Sequence, residues 1–130
     1  MTLSRVASPS RYAPIIGFSS AVRAGDLVFV AGTTAMDSSG AVVGGDDPYE
    51  QTREILRKIS TTLSAAGTDM SRVVQTRMYL TRAEHWSDVG RAHGEVFAEH
   101  RPAATMVVVA GLLDPGMLVE IEAVASLGST

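Results

Sequence analysis

Apolar and polar positions change period along the chain, and each change marks an element. Residues 27–32, Leu-Val-Phe-Val-Ala-Gly, form a nearly continuous apolar run after the turn signal Ala24-Gly25-Asp26 and predict a buried strand. Asp37-Ser38-Ser39-Gly40 predicts a turn, with Ala41-Val42-Val43 returning as the second strand of a hairpin before Gly44-Gly45. Asp47-Pro48-Tyr49-Glu50 supplies an N-cap acid, a proline at the first helical position and a glutamate at the third. The helix that follows shows Ile55, Ile59 and Leu63 on one stripe, widened by Leu56 and Ala66, with Gly67 placed for a left-handed cap. Residues 73–80 predict a strand with Val74, Met78 and Leu80 on one parity and Val73 and Tyr79 on the other. Thr81-Arg82-Ala83-Glu84 repeats the capping-box spacing, and Val89, His93, Val96 and Phe97 predict a second helix ending near His100-Arg101-Pro102. Residues 105–110 predict a strand apolar on both faces, and Asp114-Pro115-Gly116 turns the chain into a last strand. The expected order is β-hairpin, α, β, α, β, β, an α+β fold.

That last strand, Leu118-Val119-Glu120-Ile121-Glu122-Ala123-Val124-Ala125, carries the candidate chemistry. Alternation puts Val119, Ile121, Ala123 and Ala125 on a wholly apolar face and Leu118, Glu120, Glu122 and Val124 on the other. The two carboxylates then stand roughly 7 Å apart. A carboxylate on a largely buried strand needs a partner, water or a raised pKa; the alternatives are a solvated strand face or a pocket acid. Two helices cover only one side of the sheet, whereas the strand at 105–110 is apolar on both. An exposed apolar sheet face is rarely tolerated by soluble monomers, so self-association through it is expected.

Composition narrows the classes. At 130 residues and 45% hydrophobic, one domain spanning residues 1–130 is expected, with core enough to fold unaided. Cysteine is absent, which removes thiolate chemistry and fits a reducing compartment, and the chain reads as cytoplasmic. The apolar patch at residues 13–18 is too brief for a signal peptide, and nothing approaches a membrane span. With 14 acidic against 11 basic residues the net charge is −3, which disfavours nucleic acid as partner. His85, His93 and His100 lack the i, i+4 pairing of helical zinc sites, so no metal is expected. No G-x-S-x-G elbow, G-x-G-x-x-G or Walker pattern occurs, and no cofactor is implied. Trp86 is expected as a packing anchor.

Taken together, Val28-Phe29-Val30-Ala31-Gly32, Val42-Val43-Gly44-Gly45, Pro102-Ala103 and the glutamate strand resemble the Rid or YjgF-like family, also called endoribonuclease L-PSP-like. The resemblance runs from about Ser19 to Ala125. It implies a bacillus-type chorismate-mutase-like α+β fold with two helices on one face of the sheet. It also implies a homotrimer whose sheets form a central barrel, and small-molecule pockets at the subunit interfaces. Imine and enamine deaminases of the family place an arginine after the Pro-Ala pair to grip a substrate carboxylate; here that position is Ala104. A methyl group offers no charge-assisted donor, and neither the backbone N–H groups near Thr105 nor its hydroxyl replaces a guanidinium. Arg101 is better explained as a cation at a helix C-terminus. Where relatives carry a tyrosine this chain has Phe18, a serine becomes Ala31, and an asparagine on the second helix becomes Gly90. Gly32 and Glu120 persist, the latter matching the family's acid thought to position or activate water.

Expected substrate-binding positions are therefore Phe18, Ala31, Gly32, Gly90, Ala104, Thr105 and Met106, with Glu120 as the catalytic group; Glu122 is expected to face solvent or a partner. Three functions remain open. The first is a hydrolase or deaminase of an imine-like substrate other than a standard 2-imino acid. The second is a non-catalytic ligand-binding or regulatory trimer. The third is an endoribonuclease, which the acidity and the absence of basic stripes oppose.

Overall fold

Burial along the C-terminal strand sets the layout. In the computed structural model, which describes residues 3–128, Val119, Ile121, Ala123 and Ala125 are all buried while Glu120, Glu122 and Val124 are half-buried on the other face. This strand, β6 (Val119–Ser126), lies inside a six-stranded sheet with β1 (Leu3–Val6), β2 (Ala21–Ala24), β3 (Leu27–Thr33), β4 (Val73–Leu80) and β5 (Ala103–Val108). The order is β1-β2-β3-β6-β4-β5, antiparallel throughout except for the parallel pair β4–β5. A short helix α1 (Ala13–Ile16) lies on the β1–β2 connection, and two longer helices, α2 (Pro48–Ala66) and α3 (Trp86–Phe97), cover one face. Ile55, Ile59 and Leu63 of α2 and Val89 and Phe97 of α3 join Val28, Val30, Met78, Leu80 and Ile121 in one core. Full burial of such side chains contributes roughly 1.5–3 kcal/mol each.

The helix signals at 47–67 hold. Asp47 accepts from the backbone N–H groups of Tyr49 and Glu50, Pro48 opens the helix, and Gly67 ends it at φ 93°, a conformation costly for any residue with a Cβ. Gln51, wholly buried on this helix, ties it to two loops: its Nε2 donates to the carbonyls of Gly45 (2.6 Å) and Gly116 (2.9 Å), and its Oε1 accepts from Leu118 N (3.0 Å).

Several expectations are corrected. The sheet hairpin is β2–β3, closed at Gly25-Asp26 with Ala24 opposite Leu27, and not the pairing with residues 41–43. Asp37 does build the expected turn, but beyond it only an isolated Met36–Val42 bridge forms. In β4 a register shift between Val73 and Gln75 reverses the parity, so Val73 is buried with Met78 and Leu80 while Val74 is exposed. The capping box at Thr81 is not formed; its hydroxyl donates to Leu118 O (3.4 Å), and a 3₁₀ turn at Ala83–His85 precedes α3. Trp86, expected as a packing anchor, is 65% exposed.

On the face away from α2 and α3, Leu27, Phe29 and Val107 are exposed, Phe29 at 46% and Val107 at 41%. Among the described residues no helix is long and apolar enough to cross a membrane.

Candidate functional site

Alternation in β6 aims Glu120 and Glu122 at the same face, yet their surroundings differ. Glu122 accepts a hydrogen bond from the Tyr79 hydroxyl and pairs with Arg77 Nη1 at 3.5 Å. That carboxylate pushes the Tyr79 pKa up. Glu120, paired in register with Tyr79, has neither a hydrogen-bond nor an ion-pair partner among the described residues. Burial pushes its pKa up, and the negative charge of Glu122 adds to the rise. The two glutamates therefore have separate roles in the fold: Glu122 is matched locally, and Glu120 is held as an acid without a counterion.

Gly32 is what lets Glu120 sit where it does. A one-residue register shift in β3 between Val30 and Thr33 brings the Gly32 backbone beside the carboxylate, and a Cβ there would stand 2.5 Å from Oε2 and 3.0 Å from Cδ.

Phe18, Ala31 and Gly32 also line a half-open cavity of about 390 Å³ between residues 6–12, the end of β3 and α2. Met36, Met117 and Lys58 contribute to its wall. Lys58 Nζ donates to the carbonyls of Thr34 (2.6 Å) and Met36 (2.9 Å), and burial pushes its pKa down. Arg57 and Glu54, also at the wall, form a two-point ion pair, Nε to Oε1 at 2.7 Å and Nη2 to Oε2 at 2.6 Å. The sequence reading missed Lys58. Its one signal was that it is the chain's only lysine among 11 basic residues.

The remaining expected positions lie elsewhere. Strand order separates β3 from β5 by three strand spacings, about 14 Å. Met106 packs toward the core below the helices, so Ala104, two residues earlier in the strand, shares the helix face and is exposed near the sheet edge. Thr105 projects to the opposite face, in register with Arg77. Gly90 lies on α3, where an added Cβ would meet nothing within 4 Å. Arg101, at φ 46°, spends its Nε on the carbonyl of Ala98 (2.9 Å), the role expected of a helix-terminal cation. A single chain thus brings Phe18, Ala31 and Gly32 together at the cavity and sets Glu120 beside Gly32, and leaves Gly90, Ala104, Thr105 and Met106 apart from them.

A mixed six-stranded sheet backed by two helices, with an acid on its open face beside a strand glycine, defines an α+β architecture shared with known proteins. The family model described as Endoribonuclease L-PSP matches residues 8–127, and the chain belongs to that family, the YjgF or Rid-like proteins. Protein SCO2049 of Streptomyces coelicolor is 39% identical over 125 residues, covering 96% of this chain and 92% of that one. The RutC family protein PH0854 of Pyrococcus horikoshii is 35% identical over 113 residues, covering 86% and 88%. The crystal structure of Rv2704 from Mycobacterium tuberculosis, a member of the YjgF/YER057c/UK114 family, superposes with a TM-score of 0.87 at 43% identity, covering 96% and 99%.

Proposed function

We propose that this chain assembles as a homotrimer through its open sheet face and hydrolyses a small imine- or enamine-like substrate, other than a standard 2-imino acid, in pockets between subunits. The observation that carries the reading is Glu120: half-buried, without a counterion among the described residues, its pKa raised, and placed where a Cβ on Gly32 would collide with it. As a carboxylate it takes a proton from water while the water oxygen bonds to the C=N carbon. As an acid it returns that proton to nitrogen, giving a carbinolamine; it then takes the hydroxyl proton and passes it to nitrogen as the C=O bond forms and the C–N bond breaks, with loss of ammonia or an amine. Ala104 supplies no cation, which is why a free carboxylate next to the reacting carbon is disfavoured.

Assembly is supported by the exposed Leu27, Phe29 and Val107 and by the division of the expected site into two groups that only a second copy would unite. Replacing both Phe29 and Val107 by Asp places charge on that face. The expected result is a single-chain species by analytical ultracentrifugation where the parent sediments as a trimer. A parent that sediments as one chain at micromolar concentration removes the interface from the proposal.

Gly32→Ala tests the site with little effect on the core. The added methyl pushes the Glu120 carboxylate aside, and misplacement of a reacting group by about 1 Å costs on the order of 10²-fold in rate. Turnover of a panel of imines formed in solution from amines and aldehydes is the measurement; full activity in this variant contradicts the placement of the acid.

The loss of polar groups at Phe18, Ala31 and Ala104 favours a second reading, a non-catalytic ligand-binding trimer in which Glu120 recognises an amine or hydroxyl. No turnover across the panel, with ligand binding abolished in Glu120→Gln, selects it.

A further inference from the structure

We propose that Lys58 anchors the anionic head of a small monocarboxylate whose apolar body lies against Phe18, Met36 and Met117 in the cavity beside α2. This goes beyond the reading of Glu120 and requires no turnover.

Three observations lead to it. First, Lys58 is the only lysine in the sequence, and it stands at the wall of the cavity rather than on the solvated side of its helix. Second, its ammonium is fixed but not used up. Two of its three N–H groups are spent on the carbonyls of Thr34 and Met36, both of which also border the cavity, and among the described residues the third has no acceptor. Third, no carboxylate lies within ion-pair distance of it among the described residues. Two acids are near enough to feel its charge, and each is matched elsewhere: Glu54 by the two-point contact with Arg57, and Asp37 by the Ser39 hydroxyl and the N–H groups of Ser39 and Ala41.

A half-buried cation with no counterion is costly, and burial accordingly pushes the Lys58 pKa down. A carboxylate reaching the third N–H would reverse that cost with a charge-assisted hydrogen bond. The cavity is of the size that small-ligand sites occupy, with a greasy side and two cations at its wall, Arg57 already neutralised by Glu54 and Lys58 without a carboxylate partner among the described residues, which suits an amphipathic acid better than a sugar or a nucleotide.

Because there is one lysine, the experiment can be read on a single atom. The full chain labelled with ¹⁵N-lysine gives one side-chain ammonium signal, to be titrated with hexanoate and, separately, with hexanol. Hexanoate is expected to shift the Nζ signal saturably and to bind at least about tenfold more tightly than hexanol, the factor a single charge-assisted contact supplies. Lys58→Met is expected to weaken hexanoate about tenfold or more, and Glu120→Gln to leave it unchanged, which separates this site from the proposed chemistry at Glu120. A Nζ signal unmoved at about 10 mM hexanoate, where a millimolar site is nearly saturated, overturns the proposal. So do equal shifts with hexanol or undiminished binding in Lys58→Met. Should Lys58→Met fail to fold, the comparison of hexanoate with hexanol on the parent chain decides alone.

Discussion

Glu120→Gln is expected to lower the turnover of any imine the pocket accepts by about 10²–10⁴-fold, the usual contribution of a positioned general acid or base. The substitution keeps the shape of the side chain and removes its proton chemistry, so the fold should persist. Its stability profile carries a second, independent signature. Because the carboxyl pKa of Glu120 is raised in the folded chain by burial and then by Glu122, the native state binds more protons than the unfolded one between the ordinary glutamate value and the raised one. Stability contributed by this group therefore falls as pH rises through that window. Thermal melts should show Glu120→Gln more stable than the parent at neutral pH, with the difference shrinking once the pH falls below the ordinary glutamate pKa. In the parent, the acid limb of kcat/KM should lie above that of an unperturbed carboxylate, since the base form appears only beyond the raised value. An unchanged rate in Glu120→Gln takes this residue out of the mechanism, and equal melting profiles remove the burial argument with it.

The parts of the fold that could be read from the sequence are those whose periodicity is long and uninterrupted. β6 alternates over eight residues, and its buried and open faces are as the pattern implies. α2 announces both ends chemically, through Asp47 and Gly67. What escaped was short or locally irregular. β1 and β2 have four residues each, include Ser4, Arg5 and Arg23, and are held by pairing to a neighbour rather than by a pattern of their own. The hairpin signal at residues 37–43 was real as a turn, but the strand after it has no ladder to join. The parity error in β4 came from a register shift that sequence alternation does not encode. At the site, Glu120 was legible because a charge inside an apolar strand is itself a signal. Lys58 was not, because a polar residue between core positions of a helix reads as solvated until the fold sets it at the wall of a cavity shared with residues 6–12. The separation of Ala104 from Glu120 depends on strand order, which no local pattern carries.

Gln51→Leu is expected to destabilise the fold by roughly 2–4 kcal/mol, although leucine is the more hydrophobic residue and occupies a similar space. The cost arises in the groups left behind. Gly45 is exposed, and its carbonyl can turn to water, but Gly116 and Leu118 are half-buried and would lose a donor and an acceptor respectively, each worth about 1–3 kcal/mol when left unmade. Thr52→Val is the internal control: Thr52 is equally buried, but its hydroxyl donates to the Pro48 carbonyl within the same helix (2.7 Å), an acceptor the helix already serves through its backbone. Urea unfolding should therefore separate the two variants by well over 1 kcal/mol in the order Thr52→Val above Gln51→Leu. The consequence reaches the site, because residues 116–118 deliver the chain into β6 two residues before Glu120. Loosening that entry admits water to the carboxyl, so Gln51→Leu should also bring the Glu120 pKa back toward its ordinary value, as followed by carboxyl NMR titration. A variant as stable as Thr52→Val, with Glu120 titrating as in the parent, would show that the loop is held by its own Asp114 turn and not by the helix.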